Sequence, residues 1–305
     1  MSTHSTDQPL FSDRILAKLK NPNASGDSTI TLDGDVLRCS ETGETFPIID
    51  GIPSLFAPSP GEGQEITAKV RSFYEENPFP NYEGLEEFGE LVSKGHANSF
   101  SKNLLDAVGY NKTILECGCG TGQLSHYLQL NIFNLAIKDN SFDVVISHGV
   151  LHHTFDARRA FGQIVKKLKP GGIVMVGLYN NPARLPTLIR SKLIGLFGPN
   201  IDFVVRNRIR NKRKAETWIA DQYYNPHETW HSIDEVMDWF RENDISYANC
   251  SPAIMGTDGE SAEGLFDETS PGTRYQRAVT QLAWLGTIAR EGALFDVIGK
   301  KVSPS

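Results

Sequence analysis

The sequence predicts an α/β fold built on a largely parallel sheet, and three observations carry that prediction. In residues 113–123 an apolar run ends in Glu116 and three alternating glycines, Gly118, Gly120 and Gly122. A buried strand that breaks at glycines and leads into a helix lets the backbone approach a ligand closely, at free N–H groups. Residues 139–147 read as a polar turn followed by a buried strand through Val144, Val145 and Ile146. Phe161, Ile164, Val165 and Leu168 then recur at helical spacing. Lys169, Pro170, Gly171 and Gly172 stop that helix, and residues 173–178 make another apolar strand.

The glycine spacing separates two chemistries. A dinucleotide phosphate loop needs Gly-x-Gly-x-x-Gly, but the position three after Gly120 is Gln123, so a nicotinamide-dependent oxidoreductase is disfavoured. Instead, Glu116-x-Gly118-x-Gly120-x-Gly122, the Asp139-x-Ser141-Phe142-Asp143 turn, Leu151-His152-His153 and Leu168-Lys169-Pro170-Gly171-Gly172 occur together in order. This set resembles class I S-adenosylmethionine-dependent methyltransferases. The resemblance covers most of residues 68–301 and implies a Rossmann-like sheet with helices on both faces.

In that family the loop is followed by a helix and a second strand ending in an acid that binds the ribose, then a further helix and third strand. Here residues 123–130 run directly into residues 131–139. The ribose acid falls about 20 residues beyond the glycines, near Asp139 or Asp143, which already belong to the turn. Reading residues 135–139 as the second strand leaves no room for a crossover of about a dozen residues. The second and third strands are therefore expected to be absent and the sheet shortened on one side. Because crossovers are right-handed, a helix leading straight to the fourth strand would lie on the opposite face. Either residues 123–141 are rewired or poorly packed, or this sequence is a shortened version of a complete enzyme.

Residues 1–28 read as a flexible lead, apart from one short amphipathic helix through Ile15, Leu16 and Leu19. Residues 29–57 are strand-like with turns at Gly34 and Gly43. Their ending, Phe46-Pro47-Ile48-Ile49-Asp50-Gly51-Ile52-Pro53, resembles the zinc-ribbon-like segment fused to some methyltransferases. A zinc site needs paired cysteines, and Cys39 stands alone there, so a degenerate structural hairpin without metal is expected. Residues 58–63 are a linker. The aromatic and proline-rich stretch that follows predicts a rigid segment after a short helix. The resemblance implies that this region folds over the cofactor as a lid, which Tyr74, Phe79 and Tyr82 would line; the alternative is that they cover the sheet edge.

Residues 180–253 form the variable insertion, which the resemblance makes the substrate side. Its basic run, residues 206–214, could grip an anionic substrate or RNA phosphate. No aromatic interleaves it, however, and the chain has a net charge of −7, so a solvated face is the expectation and a nucleic-acid partner is disfavoured. His227-Glu228-x-x-His231 matches a zinc-protease pattern. Ser232 and Glu235 cap a new helix directly after it, so the two histidines are not expected to share a helix and no metal site is predicted. Residues 245–249 and 293–299 read as strands and residues 275–290 as a helix.

The 305 residues, 39% hydrophobic and 10% aromatic, suit a globular chain with a sizeable core. No apolar run approaches the ~18 residues of a membrane span, and the polar start lacks a signal-peptide pattern. Four cysteines without a disulfide framework fit a reducing compartment. A cytoplasmic chain without a membrane partner is expected; oligomeric state is not indicated.

The resemblance implies S-adenosylmethionine as cofactor and methyl transfer to a small-molecule substrate of unspecified identity. Glu116, Gly118, Cys119, Gly120, Thr121 and Gly122 would hold the methionine end, with Asn131 and Ile132 at the adenine. His148 and His152, just beyond the fourth strand, are the candidates for proton removal, while packing is the expected role of His153. The alternative is a non-catalytic methyltransferase-like binding or scaffold protein with an impaired cofactor pocket.

Overall fold

The computed structural model describes residues 12–58, 63–79, 93, 96, 99–118, 130–256 and 264–303. Two sheets organise them. An antiparallel meander is formed by β1 (Ile30–Asp33), β2 (Val36–Cys39), β3 (Thr45–Ile49) and β4 (Ile52–Pro53). The main sheet contains β5 (Ile114–Glu116), β6 (Phe142–His148), β7 (Leu168–Tyr179), β8 (Ile245–Ser251) and β9 (Leu294–Lys301), in the order β5-β6-β7-β9-β8. The first three run parallel, and β9 is antiparallel to both β7 and β8. Among the described residues no strand pairs with the free side of β5.

Strand alternation sorts the side chains onto two faces. Val174, Val176 and Leu178 of β7, with Phe295 and Val297 of β9, enter the larger core. That core also takes Phe161 and Ile164 of α4 (Ala157–Val165) and Trp239 and Phe240 of α8 (Ile233–Glu242). Met175 and Ile298, with partly buried Ile146 and Ile173, face the other side. There they meet Phe100 and Leu104 of α3 (Ser99–Val108). Helices thus cover both faces. α1 (Asp13–Leu16) and α2 (Gln64–Glu76) precede them, and α9 (Arg274–Ala283) lies between β8 and β9.

The insertion contains α5 (Asn181–Phe197), α6 (Phe203–Asn207) and α7 (Lys212–Tyr224). Ile194, Val205 and Ile219, one from each, form a small core of their own.

Three local expectations need correction. Residues 12–28 are not a flexible lead: Leu19 is buried and bridges Ile137, while the Lys20 N–H donates to the Ala136 carbonyl and the Lys138 N–H to that of Lys18. The stretch ahead of β6 therefore packs against the N-terminal segment. β7 begins at Leu168 rather than after the glycines, with a register irregularity opposite Phe142 and Val144. The helix expected over residues 275–290 is α9, followed by two 3₁₀ turns, Trp284–Gly286 and Ile288–Glu291.

Asp143 ties the strand starts together. Its carboxylate accepts from the Thr113 N–H (2.8 Å) and hydroxyl (2.6 Å) ahead of β5, and from Lys169 Nζ (2.9 Å) in β7. The Lys169 and Thr113 donors hold this carboxyl well below the usual range.

Candidate active site

The site lies where the parallel strands end. Glu116 is the last residue of β5, and Gly118 follows in a left-handed conformation, φ +81°. A Cβ on Gly118 would come within 2.3 Å of Val150 Cγ2, so both backbone angle and space require glycine. Val150 belongs to the loop after β6, which means the two strand ends are packed together here. Cys119, Gly120, Thr121 and Gly122 lie outside the described residues, as does Tyr82.

His148 ends β6. Its Nδ1 stands 2.7 Å from Oδ1 of buried Asp296, on β9. The pairing registers set His148 opposite Gly177 and Gly177 opposite Asp296, so the side chains meet across an intervening strand. A Cβ at Gly177 would fall 2.6 Å from Asp296 Oδ1 and 2.7 Å from His148 Nδ1. Glycine is what leaves room for this pair.

The His148 side chain is 40% exposed, and its ring stacks on Phe100 at 5.3 Å between centroids. Desolvation opposes the imidazolium, but the Asp296 carboxylate outweighs it, with Glu116 adding to the pull, so His148 is held above the ordinary histidine range. With Nδ1–H donated to Asp296, the lone pair of Nε2 is the one left for a proton.

His152 behaves differently from its assignment as a proton acceptor. It is fully buried, stacked on Tyr179 at 3.9 Å and edge-on to His153 at 4.2 Å. Neither ring nitrogen has a hydrogen-bond partner, and desolvation with the neighbouring His153 and Arg184 charges keeps it neutral, well below the usual range. A ring so enclosed packs the loop rather than exchanging protons with a substrate. His153 also packs: its Nδ1 lies 2.9 Å from the His227 carbonyl oxygen, and His227 Nε2 lies 3.0 Å from that of Thr154.

The adenine-side assignment is corrected too. Asn131 is buried, its Nδ2 donates to the Ala57 carbonyl at 2.9 Å, and its Oδ1 accepts from the Phe133 N–H at 3.0 Å. The amide fastens the N-terminal segment to the chain ahead of β6. Ile132 packs on the larger core.

Over this end of the sheet sits a polar cluster that sequence reasoning missed. Arg184 of α5 is fully buried; it donates to Glu228 (3.1 and 2.7 Å), to Gln222 and to the Gly292 carbonyl, and lies 3.8 Å above the Tyr179 ring. Tyr74 of α2 donates to Asp221 of α7 at 2.8 Å, and Phe79 lies against Trp218 of the same helix. The segment ahead of β5 thus leans on the insertion. Asp296 was missed as well, although one charged residue inside an apolar strand was a signal.

His227 and His231 do not share a helix. His231 precedes α8; its Nδ1 pairs with Glu235 and its Nε2 with the Thr229 hydroxyl. Ser232 caps α8 by accepting from the Glu235 N–H.

The order β5-β6-β7-β9-β8, parallel up to β7 and antiparallel at β9, with helices on both faces, makes this a Rossmann-like α/β domain. Comparison with known families agrees: residues 123–176 match the family model described as Methyltransferase domain. Two curated relatives align. One is an uncharacterized protein of Synechococcus sp., 26% identical, with 43% of this chain and 37% of that protein covered. The other is a ubiquinone/menaquinone biosynthesis C-methyltransferase of Haemophilus ducreyi, 28% identical, with 43% and 49% covered. The chain spans less than half the length of either. Among solved structures, geranyl diphosphate C-methyltransferase of Streptomyces coelicolor is 12% identical with a TM-score of 0.39, covering 79% of this chain and all of that one.

Proposed function

We propose that this chain is an S-adenosylmethionine-dependent methyltransferase acting on a small molecule that carries a removable proton at the accepting atom. The observation that supports it most is the grouping of Glu116, Gly118 and His148 at adjoining strand ends, with His148 backed by Asp296. The residues fit the cofactor at its amino-acid end: Glu116 offers an acceptor for an ammonium group, and Gly118 lets the backbone turn beside it. When bound, that cofactor supplies an electrophilic sulfonium methyl.

The protein's own work is then positioning and proton handling. His148 takes the acceptor's proton at Nε2, Asp296 holds the ring and stabilises the imidazolium, and Phe100 fixes the ring plane. The buried cluster of Arg184, Tyr179, Asp221 and Tyr74 keeps the insertion in place over the strand ends.

A second reading, a methyltransferase-like binding protein without catalysis, draws on the committed Asn131 amide and on the free side of β5. Calorimetric titration with S-adenosylmethionine and S-adenosylhomocysteine decides between them. Micromolar binding that Gly120→Asp abolishes supports the enzyme. A cooperatively folded protein that binds neither compound leaves the scaffold reading.

A further inference from the structure

The outer face of α5 carries more exposed apolar surface than a solvated helix needs. Ile194 and Ala183 are buried on its inner side. Leu185, Leu188, Ile189 and Leu196 are exposed at spacings that place them together on the opposite side, and Phe197 is exposed at the helix end. Leu196 is 76% exposed and Phe197 71%. Lys192 is exposed within the same stripe.

Beyond the helix end the chain passes through a 3₁₀ turn (Pro199–Ile201) and α6 into residues 206–214, which hold six basic residues and no acid. Ile194 of α5 packs with Val205 and Ile219, which bracket that run. Arg206, Arg208, Arg210, Lys212 and Arg213 are exposed. Arg208 pairs with Glu291 and Lys212 with Glu216.

We propose that this face docks on an anionic lipid surface, with the α5 leucines seated among the acyl chains and the basic run against the headgroups. An apolar helix face beside clustered Lys and Arg is the physical signature of an interfacial helix. Charge singles out this occupant. In a chain of net charge −7, the run is a local reversal that a neutral apolar partner would not require. A two-fold pairing of α5 with a second copy would bring two basic runs together. RNA would leave the leucines without a role. No described helix is long and apolar enough to cross a membrane, so the contact is peripheral; the sequence argument against a span does not bear on it. The proposal does not depend on cofactor binding.

The test is flotation of the full chain with phosphatidylcholine vesicles, with or without about a third phosphatidylglycerol. Binding to the anionic vesicles is expected, reduced at least about ten-fold by Leu188→Glu with Leu196→Glu, and likewise by Arg206→Glu with Arg210→Glu or by raised salt. Circular dichroism checks that both variants fold, as substitution at exposed sites should allow. Absence of binding to anionic vesicles overturns the proposal. So does binding insensitive to both variants. A dimer in sedimentation that the leucine variant dissociates assigns the face to a second copy instead, and RNA retention that survives the leucine variant but not the arginine variant assigns the run to nucleic acid.

Discussion

His148 Nδ1 and Asp296 Oδ1 lie 2.7 Å apart although β7 runs between their strands. Two strand spacings are about 9.6 Å, so the side chains must lean toward each other over the intervening residue. That residue is Gly177, and alternation places all three on the α3 face of the sheet. The pair, the glycine and the parity of three strands form one geometric statement.

Gly177→Ala should therefore break the pair without disturbing the larger core. The new methyl would occupy the space of the Nδ1–Oδ1 contact. Histidine NMR titration should show the His148 pKa falling toward the ordinary value, as it should in Asp296→Asn. An unchanged His148 titration in both variants would refute the arrangement.

The pH dependence follows in sign. The folded-state pKa of His148 is raised above 6.5, so its pairing contributes stability that is full below the unfolded pKa and lost as pH rises through the folded value. The urea-midpoint difference between wild type and His148→Gln should be largest below the ordinary histidine pKa and shrink as the pH rises above it. Methyl transfer should run the opposite way, rising with pH as His148 loses its proton. Once an acceptor is found, His148→Gln should reduce turnover by roughly 10²–10⁴-fold.

Arg184 is the most exacting buried charge. Its removal in Arg184→Met would leave Glu228 with the Trp230 indole but no cation, and the Gln222 side chain and the Gly292 carbonyl without the Arg184 donor. Breaking such a buried pair costs about 3–5 kcal/mol. Urea denaturation should register a loss of that size, and Arg184→Lys should recover little because an ammonium cannot reproduce the planar set of contacts.

Leu19→Ala tests the docking of the N-terminal segment. Leu19 is 2% exposed and packs in the larger core, so truncation should cost about 2–5 kcal/mol. Thermal unfolding should shift for the whole protein as one transition. A separate low-temperature transition, with the main one unmoved, would show that residues 12–58 fold apart from the sheet.

Much of the fold was legible before any coordinates. Periodicity marked β6, α4, β8 and β9, and glycines marked the end of β5. These are local signals, because strand and helix periods and turn residues act over a few positions. Cap chemistry likewise separated His227 from His231.

What tertiary structure decided are relationships between distant positions. Asp296 follows His148 by 148 residues, and only the order β6-β7-β9 brings them to one row. Asn131 had the right chemistry for a base edge, yet Ala57 claims its amide. His152 and His148 are four residues apart and both lie beyond the same strand. One is sealed under Tyr179 and kept neutral, while the other stands half open against a carboxylate. The sequence by itself determined which residues could carry chemistry and which strands could exist. The packing of strands over one another decided which of those side chains water, substrate or a proton can reach, because burial and charge proximity are properties of neighbours in space rather than in sequence.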